Sequence, residues 1–95
     1  MSAHIPETVA ERMCGGSRLT ILEDGGRPVL TVREDDSGGH LLDYEAYEDC
    51  VDVTGWTVSR LYRYCRPIVE AEMGRGGTDY LRSLLGIRRR KAVAQ

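Results

Sequence analysis

Residues 19–32 read LTILEDGGRPVLTV, and this stretch decides the fold of the N-terminal half. Two β-prone runs, 19–22 and 28–32, flank the turn string Asp24-Gly25-Gly26. Glycine tolerates the positive φ angles that tight hairpin turns require, so two such runs around Asp-Gly-Gly predict an antiparallel pair of strands. We therefore expect a two-stranded hairpin over about residues 18–33.

The segments around the hairpin are predicted to be helical. Upstream, Val9 and Met13 are spaced for one face of a brief helix. Downstream, a polar connector at 34–39 precedes three helices at about residues 41–53, 56–73 and 78–86. The first rests on the helical spacing of Tyr47, Cys50 and Val51, and the second on the apolar stripe Val58, Leu61, Cys65 and Ile68.

Single residues set the expected bends and ends of these helices. Pro67 should kink the second helix or end its first part near Arg66, because proline lacks the amide hydrogen. Gly74, Gly76 and Gly77 should form a hinge, Thr78 should cap the third helix, and Gly86 should stop it. We expect an α+β fold in which the N-terminal two-stranded antiparallel hairpin packs with two to three C-terminal helices. It forms one domain over residues 1–87, and residues 88–95 form a basic tail.

Length and composition favour one globular domain. The chain has 95 residues, of which 41% are hydrophobic and 29% are charged, and these are ordinary proportions. No run approaches the roughly 20 apolar residues of a membrane span, and the first residues lack the basic start and apolar stretch of a signal peptide. Three widely spaced cysteines argue against a disulfide framework. We therefore expect a cytoplasmic protein.

Charge is sorted along the chain. Residues 1–54 carry four arginines against twelve acids, a balance of −8, and residues 55–95 carry nine Arg or Lys against three acids, a balance of +6. The net charge of −2 thus conceals a dipolar molecule. Since phosphate neutralisation dominates non-specific nucleic-acid affinity, the basic C-terminal half is suited to a polyanion. The acidic half could instead dock on the basic half of another copy.

Catalytic, cofactor and metal sites are not expected. Cys14 or Cys50 could pair with His4 or His40, but no local motif fixes such a pair, and His40 beside two glycines is expected to be a solvated loop residue. Neither Cys-x-x-Cys nor His-x-x-x-His spacing occurs. The paired acids before glycines are typical of turns.

Residues 47–63, YEDCVDVTGWTVSRLYR, resemble the helix-turn-helix of excisionase-like and MerR-like DNA-binding proteins. In this resemblance Val53-Thr54-Gly55 is the turn, Trp56 is the buried residue after glycine, and Thr57 is the cap of the second helix. The resemblance implies that Ser59, Arg60 and Arg63 contact bases or phosphates. The sequence departs from the pattern where Val51 replaces a small residue and where Val58 takes an exposed position.

Residues 18–50 resemble the Phd/YefM type of antitoxin. The matching strings are LTIL at 19–22, GRPVL at 26–30 and DYEAYE at 43–48. The resemblance implies a homodimer that binds operator DNA through its N-terminal domain and a toxin through its C-terminal segment, with Arg12 as the basic residue of the first helix. The chain departs from the pattern in its shorter first helix, its inserted DDSGG and its basic C-terminal half.

The charge distribution favours the C-terminal half as the DNA-binding surface, because the acidic N-terminal half would repel phosphates. We therefore expect duplex DNA to be contacted by eight residues: Thr57, Ser59, Arg60, Arg63, Arg88, Arg89, Arg90 and Lys91. The function expected is that of a small non-enzymatic DNA-binding regulatory protein, antitoxin-like or excisionase-like.

A protein-binding module is the alternative. Tyrosines suit half-buried positions and interfaces, and Tyr44, Tyr47, Tyr62 and Tyr64 fall in the predicted helical pair. They could form the interface of a homodimer or bind a protein partner such as a toxin or host protein, which would make the chain an inhibitor or adaptor.

Overall fold

The computed structural model describes residues 6–14, 16, 18–44 and 50–87. The fold is α+β, a four-stranded antiparallel sheet with helices. Its strands lie in the order β1-β2-β3-β4. In chain order the elements are α1 (Val9–Arg12), β1 (Arg18–Asp24), β2 (Arg27–Glu34), β3 (His40–Tyr44), β4 (Val51–Asp52), α2 (Val58–Met73) and α3 (Gly76–Leu85).

The hairpin predicted at residues 18–33 is confirmed. Strands β1 and β2 pair antiparallel from Arg18 opposite Arg33 to Asp24 opposite Arg27. The turn glycines, Gly25 and Gly26, have φ angles of 62° and 84°, which side chains other than hydrogen rarely allow. An irregularity at Ile21 shifts the register of β1.

The helix predicted at 41–53 is wrong, and strands β3 and β4 occupy the described parts of this segment. Leu42 lies opposite Val32 of β2 and Val51 of β4, and burial of Leu42 and Val32 against the helices stabilises this pairing. Although the apolar residues of this segment have helical spacing, residues 40–44 form a strand because they pair with the open edge of β2. The hairpin is thus extended by strands of its own chain.

The connector between β2 and β3 is a turn built on Asp35. Its Oδ1 accepts hydrogen bonds from the Ser37 hydroxyl at 2.8 Å and from the Gly39 amide at 2.8 Å. These bonds, the Ser37 hydroxyl foremost, lower the pKa of Asp35. His40 follows as the first residue of β3 and is buried, so the expectation of a solvated loop histidine is wrong. Its amide donates to Thr54 Oγ1 at 2.9 Å, which ties β3 to the turn after β4.

Helix α2 runs through Pro67 without ending near Arg66. The predicted stripe is largely confirmed, since Val58, Leu61 and Cys65 are buried, with Val69 in place of the half-buried Ile68. Pro67 lies on the exposed side of the helix, where water can bond the backbone carbonyl that proline leaves without a donor. Tertiary packing of the opposite side holds the helix together.

Helix α3 begins at Gly76, so the prediction of Thr78 as its cap is wrong. The Thr78 hydroxyl instead donates to the Glu70 carboxylate of α2. Gly77 lies so close to α2 that a Cβ there would be 2.9 Å from the Val69 carbonyl oxygen. Of the expected hinge glycines, only Gly74 has a positive φ, 74°, and it ends α2. The predicted stop at Gly86 is confirmed by its left-handed conformation.

One core fills the space between a face of the sheet and the helices. The sheet contributes Leu22, Leu30, Val32 and Leu42, and short α1 contributes Val9, which is 1% exposed. Leu81 and Leu85 of α3 complete the core. In the part of the chain that the structure describes, no helix is long and apolar enough to cross a bilayer.

Gly77→Ala should destabilise the protein by roughly 1–3 kcal/mol, because the added methyl group overpacks the α2–α3 contact. Gly76→Ala is the matched control, since no atom lies within 4 Å of a Cβ there. That substitution should stabilise the protein by about 0.4–1 kcal/mol, because alanine lowers the conformational entropy of the unfolded chain. Urea unfolding measures both values, and equal effects of the two variants would contradict the close approach at Gly77.

Candidate nucleic-acid interface

A strand, a turn and a helix form the segment that resembles a helix-turn-helix. Strand β4 stands just before the turn, where the end of the first helix was expected, so the described residues 41–44 and 50–53 do not form that helix. The turn itself is as expected, because Gly55 has a φ of 80°. Thr57 caps α2 as predicted, and its hydroxyl accepts a hydrogen bond from the Arg60 amide at 3.1 Å.

The sequence-predicted contact residues of α2 lie on its solvent side. Ser59, Arg60 and Arg63 are exposed, and Thr57 is half-buried by its capping role. Val58 occupies a position that is exposed in the helix-turn-helix pattern, but here it is part of the core, as the apolar stripe predicts. At 100° per residue, positions 60 and 63 point away from the side that Val58 occupies. The structure thus brings the three polar residues together on one exposed surface.

Arg60 is stacked on Trp56. The guanidinium carbon lies 4.2 Å from the indole centroid, a cation–π distance. Tyr64 packs edge-on against the same indole, with ring centroids 5.5 Å apart and planes at 65°. Trp56 is half-buried instead of buried as expected, and Tyr64 is 41% exposed. We call Trp56, Arg60 and Tyr64 the stacked cluster.

The exposed side of α2 is positively charged over its first three turns. Residues 58–69 contain Arg60, Arg63 and Arg66 and no acidic residue. Glu70 then pairs with Arg66, with Nε 3.2 Å from Oε2. Within the described residues no ion pair involves Arg60 or Arg63. We call Ser59, Arg60 and Arg63 the basic face of α2.

The amino end of α2 is covered by the chain that precedes α1. The Val58 amide donates to the Glu7 carbonyl at 2.9 Å, and the Val9 amide donates to the Trp56 carbonyl at 2.9 Å. Helix amino ends often bind anions through free amides, but the amides of Val58 and Arg60 are already bonded here. Two of the first three amides of α2 are thus already bonded, which leaves the side chains on its flank as the main groups for an anion.

The opposite end of α2 is acidic. A cavity of about 410 Å³ there has Glu23, Asp24 and Glu72 in its wall, together with Arg27 and the exposed Met73. Carboxylates repel phosphates at close range. This end of α2 is therefore less favourable for a phosphate than the basic face.

Other arginines of the N-terminal half contribute less to a phosphate-binding surface. Arg12, the basic residue implied by the antitoxin resemblance, lies 2.5 Å from Glu7 and packs over Gly86. On the face of the sheet opposite the core, Arg33 pairs with Asp43 at 3.4 Å. The predicted contacts Arg88, Arg89, Arg90 and Lys91 lie outside the described residues.

The tyrosines proposed for an interface do not share one surface. Tyr44 donates to Glu72 at 3.3 Å near the end of α2, whereas Tyr64 lies near its start. Tyr62 and Tyr64 are two residues apart and so point about 200° apart around the helix. The ring of Tyr62 lies under Arg82, with Cζ 5.6 Å from its centroid. Tyr47 lies outside the described residues.

The cysteines and histidine do not assemble into a site in the described part of the chain. No group of three or more His, Cys, Asp and Glu there could hold a metal ion. Cys14 is exposed in the turn after α1, Cys50 is exposed just before β4, and Cys65 lies in the core. Burial raises the pKa of Cys65 to about 12.

Sequence reasoning missed the stacked cluster, although the signal was present. Trp56, Arg60 and Tyr64 are spaced four residues apart, and such positions are neighbours on a helix surface. The resemblance to a helix-turn-helix instead predicts that Trp56, which follows the turn glycine, lies in the core. Coverage of the helix start by Glu7 has no sequence signal, since the two segments are fifty residues apart.

Comparison with known proteins yields no relative, because no protein-family model, curated protein or solved structure matches the chain.

Thr57→Ala should destabilise the protein by about 0.5–2 kcal/mol, because α2 loses the side-chain acceptor for the Arg60 amide. Thr57→Ser retains that acceptor and should have a smaller effect. Thermal unfolding followed by circular dichroism compares the two variants, and an alanine variant as stable as the serine variant would contradict the capping role.

Two of the three thiols should react with a thiol reagent in the native state. Cys14 and Cys50 are exposed, but Cys65 is buried and its pKa is raised to about 12. Burial both shields Cys65 from the reagent and keeps its thiol protonated at a pH near 8. Titration with Ellman's reagent should count two thiols before unfolding in guanidinium and three afterwards. A third fast thiol in the native state would show that Cys65 is accessible.

Proposed function

We propose that this protein is a small non-enzymatic DNA-binding regulatory protein that presents the flank of α2 to duplex DNA. The observation that carries the proposal is the basic face: Ser59, Arg60 and Arg63 are exposed side by side on a stretch of helix without acids. An α-helix fits the major groove of B-form DNA, which is about 12 Å wide.

The side chains along the flank of α2 can make different kinds of contact with DNA. Arginine is both a strong phosphate ligand and the commonest reader of guanine, and the Ser59 hydroxyl can donate or accept. Arg66 lies further along the helix, and its exposed pair with Glu70 contributes little energy, so this guanidinium is available to exchange a carboxylate for a phosphate. The sequence-predicted tail, Arg88 to Lys91, would add further phosphate contacts.

The net charge of −2 does not oppose this function, because the charges are separated in space. Arg60 and Glu72 are twelve residues apart on α2, about 18 Å along its axis at 1.5 Å per residue. This separation exceeds the Debye length of about 8 Å at physiological ionic strength. Phosphates at the basic face are therefore largely screened from the acidic end.

Binding of a mixed-sequence duplex should be salt-dependent and should depend on the basic face. Fluorescence anisotropy with a labelled duplex should show affinity falling steeply between about 50 and about 200 mM salt. Arg60→Gln combined with Arg63→Gln should reduce the slope of log K against log salt by about 1 if one of the two arginines contacts a phosphate, and by about 2 if both do.

The matched control is Arg27→Gln combined with Arg75→Gln. It removes the same charge at the other end of α2, where Arg27 borders the acidic cavity and Arg75 follows the end of the helix. The control should keep the wild-type slope. Absence of binding at low salt, or equal losses in both double variants, would overturn the proposal.

A protein-binding module remains the competing function, and the same protein preparation distinguishes it. Met73 is 45% exposed beside the acidic cavity, a combination that suits a partner with apolar and basic side chains. Capture of one stoichiometric protein partner, together with no duplex binding, would favour that function. Size-exclusion chromatography with light scattering tests the homodimer expected from the sequence.

A further inference from the structure

The stacked cluster fixes Arg60 in a way that the other exposed arginines of α2 are not fixed. Its guanidinium lies on the face of Trp56 at 4.2 Å, and Tyr64 supports the indole edge-on at 5.5 Å. Trp56 is itself anchored through its backbone, because its amide donates to the Val53 carbonyl at 3.0 Å and its carbonyl accepts from Val9 at 2.9 Å.

Stacking leaves the donor groups of Arg60 free. A guanidinium carries five N–H donors in its plane, and a cation–π contact uses the face of that plane. Arg66, by contrast, directs Nε to the Glu70 carboxylate. Within the described residues no carboxylate takes the donors of Arg60, so it presents an ordered, planar set of donors to an incoming ligand.

The ligand that matches such a group has two acceptors in one plane. Guanine offers N7 and O6 in the major groove, and bidentate bonding from arginine is the commonest specific contact there. Reading a base edge requires fixed geometry, whereas a phosphate can be held by a mobile cation. Arg63 is exposed, and no aromatic ring of the described residues lies under its guanidinium, which suits the second task.

We infer that Arg60 reads a guanine in the major groove, and that Trp56 is the positioning residue that orders it. This inference rests on the proposed function, since it assigns a base contact to one residue of the basic face. Tyr64 supports the indole, and Arg63 contacts the backbone. Ordering Arg60 before binding reduces the side-chain entropy lost on complex formation.

Selection from a pool of randomised duplexes tests the inference. The wild-type chain should enrich a guanine at one position, and replacing that base with 7-deazaguanine, which lacks the N7 acceptor, should weaken binding. The expected loss is roughly 5- to 150-fold, the equivalent of about 1–3 kcal/mol at 1.4 kcal/mol per tenfold.

Arg60→Lys keeps the charge but loses the planar fork, so it should reduce the discrimination between the two duplexes while keeping the salt slope. Arg63→Lys is the matched control and should keep the discrimination. Trp56→Leu should lower discrimination without changing the salt slope, and Trp56→Phe, which keeps an aromatic face, should retain part of it. Circular dichroism checks the fold of each variant. Should Trp56→Leu unfold, Arg60→Lys still tests the inference, because it changes an exposed side chain.

The single tryptophan gives a direct readout of the cluster. Binding of the selected duplex should change Trp56 emission in the wild type, and this change should be altered in Arg60→Lys. Wild-type binding with a normal salt slope but no guanine enrichment would overturn this inference and leave the proposed function standing. Equal or tighter binding of the single strand would also overturn it, since bases would then stack on the cluster. Absence of any DNA binding would overturn both.

Discussion

Burial of one side of α2 is the constraint on which the rest of the structure depends. Val58, Leu61, Cys65 and Val69 are each at most 5% exposed, and every buried aliphatic side chain of this kind contributes roughly 1.5–3 kcal/mol. Rotation of the helix by one residue, 100°, would expose this stripe and bury arginines. The direction in which Arg60 and Arg63 point is therefore fixed by the core.

The sheet determines where α2 can lie. Antiparallel registers place Leu30, Val32 and Leu42 on one face, and this face shares one core with α2 and α3. Gly77 lets α3 approach the Val69 backbone closely, so the two helices form a single layer. Because this layer covers the apolar face, the basic face of α2 is directed to solvent on the far side of the molecule.

Local signals explain what the sequence predicts correctly. The Asp-Gly-Gly turn specifies the hairpin, amphipathic spacing specifies α2 and α3, and Thr57 and Gly86 mark helix ends because capping needs only neighbouring atoms. The strands β3 and β4 could not be predicted in this way. The spacing of the apolar residues from Leu41 onward fits either a helix or a strand. Residues 40–44 form a strand because they pair with the edge of β2. Burial of His40 follows from the same non-local pairing.

In the candidate site, too, some features follow from local sequence signals and others depend on contacts between distant segments. Exposure of Ser59, Arg60 and Arg63 follows from helical spacing, whereas the closed amino end of α2 depends on the carbonyl of Glu7, far away in sequence. In a helix-turn-helix, the first helix crosses the DNA backbone and supports the second. Here β4, the Gly55 turn and the segment before α1 hold the start of α2 through hydrogen bonds at Trp56 and Val58. The start of α2 is thus anchored although the described residues before it form no helix, and this anchoring gives the proposed base contact of Arg60 a fixed support.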